Sequence, residues 1–370
     1  FCITLGHKSA MCGSLEKKVN NILVVAITRL GDMLQSSPTI AGLKAHNPDA
    51  RITVLIEKQF AKICSGIPAI DEVYVIDLSY VCRCLHRERD GIVEAFRYLD
   101  EMLADLRERK FDCCINMSNS SYTALLLKML DAKINTGWLA DAEGFRLMAD
   151  PWAMLFSAFV YHQNRDYNCL NLVDIFRCAA GVTKHPRHLC YNVSPSSRVF
   201  AEQFLQEHRL TGPGPLICIQ AGASQGKRQW GVARFSRLAQ ILVEQMNARV
   251  IFTGSPDEKD LIEQILKSYS NPRVVSAAGK TNFDQLGGIL ERAGVLITGD
   301  TGPMHLAVAS GTPVVALFLA SALCFETGPY SEGNFVLQTQ ISCSPCNPNY
   351  PCSRPDCHAQ ISPELVAYVA

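Results

Sequence analysis

The stretch Thr298-Gly-Asp-Thr-Gly-Pro-Met-His305 combines residue types that suit a charged ligand. Gly299 and Gly302 permit a sharp turn and a close backbone approach. Pro303 suits the first turn of a helix, where its missing N–H costs nothing. An apolar strand leading in and a helix leading out would leave backbone N–H groups unpaired at the turn, with the positive end of the helix dipole behind them. That is an anion site, and phosphate is the usual anion. Asp300 would repel a phosphate unless it faced something else, such as a sugar hydroxyl. The combination fits a sugar diphosphate. The alternative is an ordinary strand-to-helix turn capped by Asp or Thr, and the stretch by itself leaves both open.

Two other loops add complementary chemistry. Ala221-Gly-Ala-Ser-Gln-Gly-Lys-Arg-Gln-Trp230 carries the cations Lys227 and Arg228, which suit a pyrophosphate. Gly254-Ser-Pro-Asp-Glu258 offers Glu258, a carboxylate able to accept ribose hydroxyls as in dinucleotide folds. Each has a plainer reading: a solvated basic pair, and a first-turn acid that complements a helix dipole. In the first half, Asp32 ends Thr28-Arg-Leu-Gly-Asp32. It is either a helix N-cap or a base facing a cleft. Near the end, Cys343-x2-Cys346-x5-Cys352-x4-Cys357 lies in a Pro/Asn-rich stretch with little apolar content. Four thiolates so spaced suit a structural zinc or iron, with disulfides and free thiols as rivals. The chain has no H-E-x-x-H, no Walker lysine pattern and no G-x-G-x-x-G after Ile27.

The elements that must carry these loops alternate in type. Asn21 to Ile27 is a continuous apolar, β-branched run, as in a central parallel strand. A helix over Met33 to His46 should follow, with Asp32 at its start. Strands are expected over Arg51 to Ile56, Glu72 to Ile76, Phe111 to Asn116 and Lys133 to Thr136. Helices are expected over Gly91 to Arg109 and Ser121 to Leu130. Gly137 to Arg165 is less regular, with an apolar run, Trp152 to Tyr161, that reads as a core helix. The alternation restarts at Leu216 to Gln220 and continues through Arg249 to Thr253, Arg273 to Ser276, Ala293 to Ile297 and Pro313 to Phe318. Such alternation implies an α/β fold with two Rossmann-like domains, whose parallel sheets face a central cleft at their strands' carboxyl ends. The expected division is 1–20 as a leader or disordered N-terminus, 21–190 as the first domain, and 191–370 as the second with the cysteine-rich tail.

Composition narrows the function. Of 370 residues, 48% are hydrophobic and 19% charged, as in a soluble globular protein. Lys+Arg and Asp+Glu balance at 35 each, which argues against nucleic acid as a partner. The longest apolar run, His305 to Phe325, is broken by Ser310-Gly-Thr-Pro313 and reads as a helix then a strand rather than a membrane span. Most of the 16 cysteines sit singly in apolar segments. With no secretion signal, a reduced cytoplasmic protein is expected.

Four stretches carry a resemblance. Ile22-Leu-Val-Val-Ala-Ile-Thr-Arg-Leu-Gly-Asp-Met-Leu-Gln-Ser-Ser-Pro38 resembles the opening of the family-9 glycosyltransferases, the bacterial heptosyltransferases of lipopolysaccharide core assembly. Gly222-Ala-Ser together with Lys227-Arg-Gln-Trp230, and Gly299-Asp-Thr-Gly-Pro-Met-His305, resemble two further family segments, and the cysteine tail is similar to that of many members. The resemblance runs in order from Asn21 nearly to the C-terminus. It implies a GT-B fold and an ADP-heptose-type donor held by the C-terminal half. It implies a glycan or lipid-linked acceptor, such as the lipopolysaccharide core, held by the N-terminal half. Transfer would be inverting, with no cofactor required, at the cytoplasmic face of the inner membrane with peripheral contact. Asp32 falls on the catalytic aspartate. Asp300, Thr301, Gly302 and His305 fall on the donor-sugar and phosphate loop, and Glu258 on a ribose ligand. Two positions depart from the family. Arg228 stands two before Trp230 where lysine is common, and Gly231 stands where proline usually follows, so either Lys227 or Arg228 meets the pyrophosphate. A protein-modifying heptosyltransferase and a non-catalytic sugar-nucleotide-binding module of the same fold are the alternatives.

Overall fold

The structure is a computed structural model and describes residues 19–87, 89–148, 151, 154–155, 165–185, 187–223, 226–319, 321–346, 352 and 356–370, with 148, 166 and 227 as backbone alone. The expected leader, apart from its last two residues, and most of the expected core helix at 152–161 lie outside the described residues. The chain divides into two compact units, Phe1–His162 with Val173–Arg187, and Gln163–Leu172 with His188–Ala370.

The first unit holds a six-stranded sheet of β1 (Asn21–Val25), β2 (Arg51–Glu57), β3 (Glu72–Ile76), β4 (Cys113–Asn116), β5 (Ile134–Ala140) and β6 (Arg146–Met148). Their order is β3-β2-β1-β4-β5-β6. All neighbours are parallel except β5 and β6. The central strands are buried along nearly their whole length, which is why they read as unbroken apolar runs. At the edge, β3 alternates instead and exposes Val73 and Val75. β5 runs four residues beyond its expected end. The chain returns through a tight loop, where Asp141 Oδ1 accepts from the Phe145 N–H at 2.7 Å, into antiparallel β6.

The helix after β1 is Leu30–His46, so it begins three residues before the expected start. Its N-cap is Arg29, whose carbonyl accepts from the Met33 N–H at 3.1 Å. Pro38 lies inside this helix and removes one backbone donor. The carbonyl it would have served, that of Leu34, accepts instead from the Ser37 hydroxyl at 2.6 Å.

The second unit repeats the plan with β7 (Leu216–Gln220), β8 (Arg249–Thr253), β9 (Val274–Ser276), β10 (Val295–Gly299), β11 (Val314–Phe318) and β12 (Phe335–Gln338). The order is β12-β11-β10-β7-β8-β9, and every neighbouring pair is parallel. In both sheets the first strand is central, and the connection reverses direction beside it. Those switch points, between β1 and β4 and between β7 and β10, are where open α/β sheets bind ligands.

The C-terminal tail is fastened to this second core. Trp230 is 1% exposed, and its indole N–H donates to the Ile361 carbonyl at 3.1 Å. The last helix, Pro363–Val369, is capped by Ser362 and packs on the helix Val232–Met246. No helix among the described residues is long and apolar enough to cross a membrane.

Candidate functional site

At the second switch point, β10 ends in Gly299 and the chain turns through Asp300 and Thr301 into the helix Gly302–Ala309. Thr301 is the N-cap, but no side chain caps the helix. Its hydroxyl pairs with that of Thr298 at 2.9 Å instead. The positive helix end is therefore left for a ligand, as an anion site requires. His305 lies one turn in, only 3% exposed, and its Nδ1 has no hydrogen-bond partner among the described residues. Burial pushes its pKa down to about 4, so the ring is neutral at pH 7.

Arg228 arrives from the loop after β7. Its Nη1 donates to Asp300 Oδ2 at 2.8 Å, and Thr327 Oγ1 donates to Asp300 Oδ1 at 3.0 Å. Both partners of the ion pair are largely buried, and Arg228 Nε is buried without a partner among the described residues. Asp300 thus accepts from the protein on both oxygens and holds the guanidinium against the loop. Lys227 shares the single turn Gly226–Arg228, and its side chain lies outside the described residues.

Next to this network stands an ion pair that the sequence did not suggest. Arg165 donates from Nε and Nη2 to the two oxygens of Glu326, at 2.9 and 2.6 Å. Their side chains are 17% and 8% exposed. The hydrogen bond to Glu326 holds the Arg165 guanidinium above its ordinary pKa, with Cys346 and Asp300 adding smaller attractions. Glu326 and Thr327 share the four-residue helix Cys324–Thr327, so one short element grips both Asp300 and Arg165.

Glu258 stands at the carboxyl ends of β7 and β8. Its Oε2 accepts from the Ser255 N–H at 2.7 Å and from Gln220 Nε2 at 3.1 Å. The carboxylate fills the space above Gly222, where a Cβ would overlap it.

Asp32 belongs to the first unit. It occupies the third position of the helix Leu30–His46 rather than the cap, and its Oδ2 accepts from the N-cap Arg29 N–H at 3.3 Å. In the same unit a cavity of about 670 Å³ opens beside Lys58, Asp77, Tyr80, Arg97 and Tyr98. Lys58 Nζ donates to Asp77 at 2.8 Å, and the Tyr80 and Tyr98 rings meet edge to face with centroids 5.3 Å apart.

The cysteine cluster is not gathered. Cys343 and Cys352 are exposed, Cys346 is half-buried, and Cys357 is buried in the second core, carried inward by the helix Asp356–Gln360. No disulfide joins any two of the four. Among the described residues no three His, Cys, Asp or Glu side chains stand close enough to share a metal ion. As placed, the four sulfurs do not fit a zinc or iron site. Although the stretch is Pro/Asn-rich, Cys357 lies in the second core and Cys346 packs against it.

Known proteins resemble this chain in sequence and in fold. The family description "Glycosyltransferase family 9 (heptosyltransferase)" matches residues 101–355, more than half of the chain. Lipopolysaccharide heptosyltransferase 3 of Escherichia coli is 27% identical over 296 residues, covering 79% of this chain and 81% of that protein. A glycosyl transferase family 9 structure from Veillonella parvula DSM 2008 superposes with a TM-score of 0.69 at 22% identity, covering 87% of this chain and 86% of that one. The structure of E. coli ADP-heptose lps heptosyltransferase II gives 0.67 at 21% identity, covering 94% and 97%. The likeness to these structures is one of fold, the GT-B class with two Rossmann-like units.

Proposed function

Because this chain belongs to glycosyltransferase family 9, the heptosyltransferases, we propose that it moves a heptose-like sugar from ADP-heptose to a hydroxyl of a lipopolysaccharide-core or other glycan acceptor. The observation that carries the donor side is the uncapped helix end at Gly302, beside the partnerless nitrogen of His305 and the Arg228 guanidinium. These groups suit a diphosphate, and Glu258 suits the ribose. A guanidinium has five N–H donors, so Arg228 can keep Asp300 and still donate to a phosphate oxygen.

In this reading the acceptor oxygen attacks the anomeric carbon as the bond to the diphosphate breaks, and the configuration inverts. The acceptor proton passes to the Asp32 carboxylate, a general base. The leaving ADP gains charge, which the helix end and either Arg228 or Lys227 stabilise. No step uses a metal. The acceptor is assigned to the first unit, where the cavity beside Tyr80 and Tyr98 offers aromatic faces and charged hydrogen-bonding groups. A lipid-linked acceptor would place the reaction at the cytoplasmic face of the inner membrane.

The test is transfer from a panel of nucleotide sugars to lipopolysaccharide-core acceptors, read by mass, together with ADP binding to Thr301→Phe. Crowding the helix end should weaken ADP and ADP-sugar alike. Unchanged ADP affinity in the folded variant removes the donor assignment.

A further inference from the structure

We infer that Gln220 is a positioning residue for Glu258, fixing the carboxylate so that one oxygen is held by the protein and the other is presented to the donor ribose. The inference rests on Glu258 being the ribose ligand of the proposed function.

Gln220 ends β7 and Thr253 ends β8, and the two are register partners at the carboxyl edge of the second sheet. Gln220 is 4% exposed and Thr253 fully buried. A polar pair so placed must satisfy itself. The Thr253 hydroxyl donates to Gln220 Oε1 at 2.9 Å, and Gln220 Nε2 donates to Glu258 Oε2 at 3.1 Å. The order is fixed by chemistry. An ionised carboxylate only accepts, so the amide nitrogen must face Glu258 and the amide oxygen must face the threonine. A flipped amide would set oxygen against oxygen.

Glu258 Oε2 then receives two donors, Gln220 and the Ser255 N–H, and is saturated. Oε1 accepts no hydrogen bond among the described residues, and the bare Gly222 leaves the space in which it lies. The buried Gln220 amide and the Ser255 backbone N–H on one oxygen, with no hydrogen bond on the other among the described residues, make a preorganised acceptor for vicinal hydroxyls. Without Gln220, Glu258 would keep only its local bond to Ser255 and could swing away from the ligand.

The experiment compares the affinity of ADP with that of 2′,3′-dideoxy-ADP by calorimetry, and measures donor KM and kcat. The ratio of the two affinities reports the ribose hydroxyls and is insensitive to a general loss of packing. Wild type should prefer ADP by about tenfold, the worth of one good hydrogen bond to a charged group. Glu258→Ala should bring the ratio near one. Gln220→Leu, of similar volume, should bring it within about threefold of one, with the loss falling on donor KM rather than kcat. The double variant should be no worse than Glu258→Ala. Thr253→Val should act in the same direction and Thr253→Ser should restore the ratio, so the test stands even if Gln220→Leu does not fold. A wild-type ratio in folded Gln220→Leu or Thr253→Val, with the ratio lost in Glu258→Ala, overturns the positioning role. A wild-type ratio in Glu258→Ala itself overturns the ribose assignment.

Discussion

His305 makes acid stability a measure of the proposed donor site. Its ring is 3% exposed, Nδ1 has no partner, and its pKa is pushed from 6.5 down to about 4 by burial alone. The unfolded chain binds a proton on this ring near pH 6.5, whereas the folded chain resists until about 4. Between those values the unfolded state holds more protons, so stability rises with pH there and is lost as pH falls. The full contribution is present above pH 6.5, and the loss on reaching pH 4 is on the order of 3 kcal/mol. The perturbation is His305→Gln, which keeps a polar group of similar size and removes the titration. The assay is urea unfolding at intervals from pH 7.5 to 4.5, taken as the difference between variant and wild type so that other carboxylates cancel. The difference should shift toward the variant by about 1.4 kcal/mol for each pH unit below 6.5. Saturating ADP should flatten that slope in wild type, because an anion beside the ring favours the imidazolium. Parallel curves for the two proteins would refute the reasoning, since they would mean that His305 is hydrated and titrates normally.

Two further outcomes follow from named contacts. Asp32→Asn keeps an oxygen for the Arg29 N–H but cannot take a proton. It should cost under about 1 kcal/mol of stability and roughly 10²–10⁴-fold in turnover, and turnover within a few-fold of wild type would leave Asp32 a helix-end residue only. Glu326→Gln leaves the Arg165 guanidinium largely buried without its counter-charge and should cost about 3 kcal/mol in urea unfolding. The apolar double variant Arg165→Met with Glu326→Leu should recover much of that, and equal losses in both would show that packing rather than charge is at stake.

The strands were legible because β1, β2, β4 and β7 are buried on both faces, and burial on both faces leaves an unbroken apolar run. The turn at Asp300 was legible because its glycines, its proline and its helix start are local. Asp32 was harder. Gly31 reads as a poor helix former, yet the helix starts at Leu30 because Arg29 accepts the first turn, and Asp32 moves from cap to third position. The β5–β6 hairpin hid behind Gly137, whose φ of +86° would mark a turn but here lies within the strand. Gln220 carried a signal in retrospect, as a polar residue closing an apolar strand. The Arg165–Glu326 pair carried none: 161 positions separate its members, and only the fold brings them together. The burial of Cys357 was not legible because local composition is Pro/Asn-rich, whereas its neighbours in the core come from distant strands and helices.

The short run Gln163–Leu172 is counted with the second unit although residues of the first flank it on both sides. The second unit is therefore not one continuous piece of gene. A clone starting at His188 would encode every strand of its sheet but not Arg165, and Glu326 would be left buried with no cation of its own. Such a piece should express poorly or need the missing ten residues supplied as a separate peptide. A chimera that exchanges the second unit between relatives has to carry two segments, not one, and a single crossover near 187 would pair the Glu326 of one parent with whatever the other parent has in place of Arg165.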